Sequence, residues 1–205
     1  MKLLKKGQLP IFLTNTLVML AFIVTFFVNR NFEFLLYVGI LFVFMTLILS
    51  TNKKVNYSNG LLWALSVWAF AHMAGGGVYI NGVKLYETML IPLIGEPYNV
   101  LKYDQLVHAY GFGVTTFLVW HLLKSSLKMD EKKRWVSLSI VCVMAATGFG
   151  ALNEVIEFSA TVIDPGNGVG GYINNAIDLV SNLIGAIIAM VIIVKMEKRK
   201  SITNK

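Results

Sequence analysis

The chain has 205 residues, 56% of them apolar and 14% charged, with a mean hydropathy of +0.67. Soluble globular domains are about 45–50% apolar and about 25% charged, so composition excludes one. It also excludes a disordered chain, a collagen-like repeat and a disulfide-stapled secreted domain, since apolar residues dominate and Cys142 is the single cysteine.

Apolar runs long enough to cross a hydrocarbon core of roughly 30 Å predict six transmembrane helices. They fall at about residues 10–28, 32–50, 61–80, 104–123, 135–157 and 176–194. The expected fold is all-α: a polytopic membrane helix bundle forming a single integral membrane domain over residues 1–205. The first run follows Lys2, Lys5 and Lys6, as in a signal peptide, but it is too long for one and no small-residue cleavage site follows, so it reads as a retained anchor.

Lysine and arginine give the orientation. Fifteen lie before span one, after spans two and four, and in the C-terminal tail, whereas the alternate segments hold only Arg30, Lys84 and Lys102. The positive-inside bias then predicts both termini in the cytoplasm and the segments at 81–103 and 158–175 outside. The same distribution accounts for the net charge of +7 without nucleic acid, because the basic residues lie between apolar runs. The two outer segments exceed the usual four to six residues of a connection, a length that often accompanies function. One carries Pro92 and Glu96-Pro97; the other carries Asp164-Pro165 and a glycine-rich run from Gly166 to Gly171, read as turn residues because no lysine or strand-to-helix context makes it a phosphate loop.

Six ionisable residues interrupt the spans: His72, Asp104, His108, Glu154, Glu157 and Asp178. Such groups are costly in hydrocarbon and are candidate functional residues by default. With about 1.5 Å of rise per residue, all six fall in the outer half of the bilayer. Helical spacing also gives each a face shared with small residues: His72, Gly75, Gly76 and Tyr79; Asp104, His108 and Gly111; Thr147, Gly150, Glu154 and Glu157; Asp178, Asn182, Gly185 and Ala189. The expected arrangement is a polar pocket opening outward among spans three to six.

Ordinary structural roles compete with this reading. Asp104 and Asp178 sit at helix N-termini, which favour anions, but Glu154 and Glu157 lie near a helix C-terminus, where the dipole disfavours them and some partner must compensate. His121 is at the inner end and receives no role; Trp63, Trp68, Trp120 and Trp135 read as interfacial or packing aromatics, and Cys142 as inert filler. Imidazoles with carboxylates suit a divalent metal such as zinc, manganese or magnesium, which activates water. In that scheme His72, Asp104, His108 and Asp178 are metal ligands or orienting groups, Glu154 or Glu157 is the general base, and Asn182 and Tyr103 support them. A metal-free acid/base pair and a proton relay use the same residue types.

At these residues the chain resembles the YjdF-like family of bacterial inner-membrane proteins. The likeness rests on His72-x-x-Gly75-Gly76, Tyr103-Asp104-x-x-x-His108, Asn153-Glu154-x-x-Glu157 and Asp178-x-x-x-Asn182-x-x-Gly185. The last three are also similar to VanZ-like membrane proteins, a family associated with glycopeptide resistance, although Glu157 stands where those usually have Gln and Gln105 where they usually have Lys. The resemblance implies a multi-pass protein of the bacterial cytoplasmic membrane and a role in the cell envelope. The expected activity is a metal-assisted hydrolase or transferase acting from the lipid bilayer on a lipid-linked or envelope head group. A proton-coupled small-molecule transporter and a non-catalytic membrane scaffold are the alternatives.

The topology has a direct check. With a membrane-impermeant thiol reagent on intact cells, a cysteine at Gly166 is expected to label and one at Lys200 to stay protected; the reverse pattern inverts the orientation.

Overall fold

A computed structural model describes residues 4–126, 135–163 and 171–203. The described chain contains six α-helices: α1 (Leu9–Val28), α2 (Phe32–Val55), α3 (Asn59–Gly77), α4 (Tyr103–Ser126), α5 (Trp135–Ile163) and α6 (Tyr172–Thr203). Five of them, all but α3, are long and apolar enough to cross a membrane. In α3 the 19 residues include Asn59, His72 and three successive glycines, which dilute its hydropathy. The glycine-rich run from Gly166 to Gly170, with Asp164-Pro165, lies outside the described residues, as do Lys128, Lys132, Lys133 and Arg134.

Helix starts follow local chemistry. Pro10 occupies the first turn of α1, where its missing N–H costs nothing. The side chains of Asn31 and Ser58 accept the otherwise orphaned N–H groups of Phe34 and Leu61, capping α2 and α3. Helix ends depart further from the sequence reading. The second span was expected to finish near residue 50, yet α2 runs through Lys53 and Lys54 to a left-handed Asn56. Likewise α5 and α6 extend past the apolar runs, because a helix that leaves the hydrocarbon need not unwind on reaching polar surroundings.

The third span corrects an expectation. It was read as helical to Ile80, but α3 stops at Gly77, Val78 is extended, and Tyr79–Ile80 is a strand. This strand, β1, pairs antiparallel with β2 (Val83–Lys84), placing Tyr79 opposite Lys84 and Ile80 opposite Val83. Asn81 and Gly82 form the turn, both with positive φ (51° and 81°). That is the geometry of a two-residue turn for which Asn-Gly is the favoured sequence. Tyr79 therefore leaves the helical face that carries His72. After a 3₁₀ turn at Leu85–Glu87, a second two-stranded sheet pairs β3 (Met89–Ile94) with β4 (Val100–Lys102), which leads into α4.

By their contacts the residues fall into two compact units: Met1–Pro92 with Leu101–Asp104, and Leu93–Val100 with Gln105–Lys205. In the first, α3 packs on α1 and α2 through an aromatic chain in which Phe26 lies 5.4 Å from Phe22 and 5.3 Å from Phe34, ring to ring. The three glycines ending α3 are the sockets for it. A Cβ on Gly75 would stand 2.6 Å from the Tyr86 ring, one on Gly76 2.0 Å from Phe34, and one on Gly77 2.9 Å from Phe26. At the other end of α1 and α2, Gln8 and Asn52 are fully buried and exchange amide hydrogen bonds of 3.3 and 2.6 Å.

The second unit is built from most of α4 with α5 and α6, and its apolar interior is Val119, Trp120, Cys142, Met190 and Ile193. Both units invert the soluble pattern. Leu17, Phe27, Phe42, Ile140, Val155 and Ile188 are exposed, while Gln8, Asn52, His108, Glu154, Asp178 and Asn182 are buried. Apolar surface facing outward and polar groups paired inside is the arrangement that lipid imposes.

The glycine sockets give a stability prediction. Gly76→Ala, which drives a methyl into the Phe34 ring, is expected to cost about 1–3 kcal/mol. Gly39→Ala, in open space on α2, is expected to be neutral or slightly stabilising. Thermal unfolding of the two variants in detergent separates them, and equal melting temperatures would contradict the packing.

Candidate functional site

Within the second unit, two small residues set the helix spacing. A Cβ on Gly185 would lie 1.9 Å from the backbone oxygen of Ala109, so α6 touches the backbone of α4 there. On the neighbouring helix, a Cβ on Gly150 would lie 2.6 Å from Nδ2 of Asn182. Close approach through small residues is how helices gain contact in lipid, where no hydrophobic effect drives them together.

The approach brings a polar cluster into register. His108 on α4 is 4% exposed, and Glu154 and Glu157 on α5 are 6% and 7% exposed. His108 Nδ1 lies 3.0 Å from Asn182 Oδ1 and 3.6 Å from Glu154 Oε1; its Nε2 lies 4.0 Å from Glu157 Oε1. An amide oxygen only accepts, so Nδ1 carries a proton toward Asn182. Asn153, one turn before Glu157, donates to Glu157 Oε1 at 2.7 Å. On α6, Asn174 donates in the same way to Asp178, which is fully buried one turn before Asn182.

The donor set fits a divalent metal. One atom from each of His108, Glu154 and Glu157 lies within 4.8 Å of the others, and imidazole with two carboxylates suits zinc, manganese or magnesium. The buried Asn182 has a second feature: its Nδ2, which lies over Gly150, has no hydrogen-bond partner among the described residues.

Of the residues singled out in the sequence, His108, Glu154, Glu157, Asn182 and Asp178 come together, Asp178 offering a carboxylate oxygen within 4.8 Å of a His108 ring nitrogen. Asp104 belongs to the first unit by its contacts and lies one helical turn before His108 in α4. His72 and Tyr103 also belong to the first unit. There His72 sits in an aromatic box, its ring 5.1 Å from Tyr37, 5.8 Å from Trp68 and 6.0 Å from Phe34, with Nδ1 hydrogen-bonded to the Tyr86 hydroxyl. Tyr103 donates its hydroxyl to the carbonyl of Ala71 at 3.1 Å.

Asn153 stands in a sequence motif that gives it no role, and Asn174 and Tyr86 stand in none. Asn153 and Asn174 each precede a buried carboxylate by four residues, a repeated Asn-x-x-x-Glu/Asp spacing that identifies them as its helical neighbours. Tyr86 carried no comparable signal, since the hairpin that delivers it to His72 is closed by Asn81-Gly82.

The cluster is centred on one imidazole. His108→Ala leaves two carboxylates facing each other in a buried site and Asn182 Oδ1 without its donor, and is expected to cost about 1–3 kcal/mol. Adding Glu154→Gln to that variant is expected to restore part of the loss. Melting temperatures of the single, paired and wild-type proteins test this coupling, and strict additivity would contradict it.

No curated protein and no solved structure matches the chain. A family model described as a predicted membrane protein family, DUF2238, matches residues 11–199. The chain is therefore a member of the DUF2238 family of membrane proteins.

Proposed function

We propose that the second unit carries a metal-dependent hydrolase or transferase centre acting on a lipid-linked or cell-envelope head group. The observation that carries this reading is the burial of His108, Glu154 and Glu157 at mutual ligand distance in a helix bundle suited to a membrane. Placing such groups in hydrocarbon costs stability, and a bound divalent cation offsets that cost by neutralising the carboxylates.

His108 and Glu154 are the proposed ligands, with Glu157 as a third ligand or the general base. The Asn182 carbonyl fixes the histidine tautomer, the outer hydrogen bond that metal-binding imidazoles commonly have. Asn153 holds the Glu157 carboxylate in place. Bound there, a divalent ion supplies Lewis acidity and lowers the pKa of a coordinated water toward neutrality. Asp178 and Asp104 are proposed as flanking orienting groups. His72, whose Nδ1 is engaged by Tyr86, is assigned to positioning within its own unit.

The charge asymmetry along the sequence supports six spans, cytoplasmic termini and a site open to the outer face. The motif likeness to YjdF-like and VanZ-like proteins supports a bacterial inner-membrane location and an envelope substrate. A proton-coupled transporter would use the same groups, but it needs a polar route toward the inner face. The interior of this unit next to the site's helices is instead Val119, Trp120, Cys142, Met190 and Ile193, which favours chemistry at a closed end over passage.

Elemental analysis of the purified protein tests the reading. The wild type is expected to hold about one equivalent of zinc, manganese or a related ion, and His108→Ala and Glu154→Ala to lose at least tenfold in metal affinity. A wild type free of such ions after supplementation with each, or variants that bind as well as it does, would overturn the metal centre.

A further inference from the structure

The segment between α3 and α4 carries a surface that the polar cluster does not use. Residues 88–101 hold one charged side chain, Glu96. Within them β3 is apolar at all six positions, and five of the six are exposed. A strand with one face on a core and the other in water alternates apolar with polar residues, and β3 does not alternate. Leu93 and Ile94, being consecutive, point to opposite faces of the hairpin, yet they are 64% and 54% exposed.

The end of the hairpin, Leu93–Val100, belongs by its contacts to the second unit, as does α4 from Gln105 onward. β4 ends at Lys102 and α4 begins at Tyr103 with no residue between them, so the hairpin ends where a helix long and apolar enough to cross a membrane begins. Leu106 and Tyr110, in the first two turns of that helix, are exposed as well. Along the chain, the apolar surface of the hairpin thus continues into the lipid-facing surface of α4.

We propose that the end of the hairpin is a membrane-contact element, immersed at the boundary between lipid head groups and acyl chains, with Leu93, Ile94 and Tyr98 as its anchors. Two exposed apolar faces select the occupant. A second copy docked on one face would leave the other in water, whereas lipid surrounds both. Depth follows from the polar groups. Glu96 lies two residues after Ile94, roughly 7 Å along an extended chain, so its carboxylate reaches the head groups while Ile94 contacts acyl chains. β4 offers three residues to the six of β3, and backbone groups outside a ladder are costly in hydrocarbon but satisfied at a wet boundary. Pro92 has no N–H to satisfy. Tyr98, also exposed, has the amphipathic ring that favours this level. The contact is independent of the metal centre, and the failure of either leaves the other standing.

Electron paramagnetic resonance of the full chain in vesicles of phosphatidylethanolamine and phosphatidylglycerol tests the proposal. Nitroxide labels are placed singly at Leu93→Cys and Ile94→Cys in a Cys142→Ala background, with Val155→Cys and Arg199→Cys as the lipid and water references. Relative to a water-soluble nickel complex, oxygen is expected to reach the labels at Leu93 and Ile94 about threefold more than the label at Arg199, as it reaches Val155. A label at either strand position as open to the nickel complex as the one at Arg199 would overturn the proposal. So would a label closed to both reagents, the signature of a protein contact, with dipolar broadening between labels identifying a second copy.

Discussion

The second unit depends on an absent side chain. At Gly185 the backbone of α6 lies so close to the Ala109 carbonyl on α4 that a single methyl group cannot be inserted. This contact holds His108, one residue before Ala109, within hydrogen-bonding distance of Asn182, three residues before Gly185. Gly150 performs the same service on α5 by making room for the Asn182 amide, and Glu154 follows one turn later. The polar cluster is thus a consequence of backbone proximity. Longer side chains at these two positions would separate the helices and leave each polar group to find its own partner in lipid.

Lipid makes that proximity consequential. Water satisfies a surface carboxylate at little cost, but a buried one requires a donor or a cation. Here the chain provides local donors, Asn153 for Glu157 and Asn174 for Asp178, each from one turn earlier on the same helix. Such pairs need no tertiary structure. The imidazole between Glu154 and Glu157 does, because it arrives from another helix. Local amides therefore hold individual carboxylates in position, and helix packing creates a centre in which they act together.

The first unit handles its polar residues differently. His72 is enclosed by rings and engaged by a tyrosine hydroxyl, and the glycines after it admit Tyr86, Phe34 and Phe26. Histidine in this unit belongs to an aromatic cluster, whereas histidine in the second faces carboxylates. The two imidazoles occupy similar apolar stretches of sequence, and their distinct surroundings are what separate a positioning role from a ligand role in the proposed function.

Much of this was legible along the chain. The apolar runs located the helices because spanning a bilayer demands length and hydropathy, both local properties. Helical spacing identified the buried faces of α5 and α6, because lipid tolerates Glu154, Glu157, Asp178 and Asn182 only on an interior side. The Asn81-Gly82 turn was equally local, yet the apolar residues around it continued the run of α3 and hid the hairpin. The helix ends escaped for a related reason: hydropathy marks where hydrocarbon stops, not where hydrogen bonding along the backbone stops. What the sequence by itself determined was which residues must leave lipid and on which side of each helix they lie. Only the tertiary structure decided their partners, joining His108 to Asn182, Glu154 and Glu157 and His72 to Tyr86. Those pairings follow from the distances between packed backbones, which no single helix encodes.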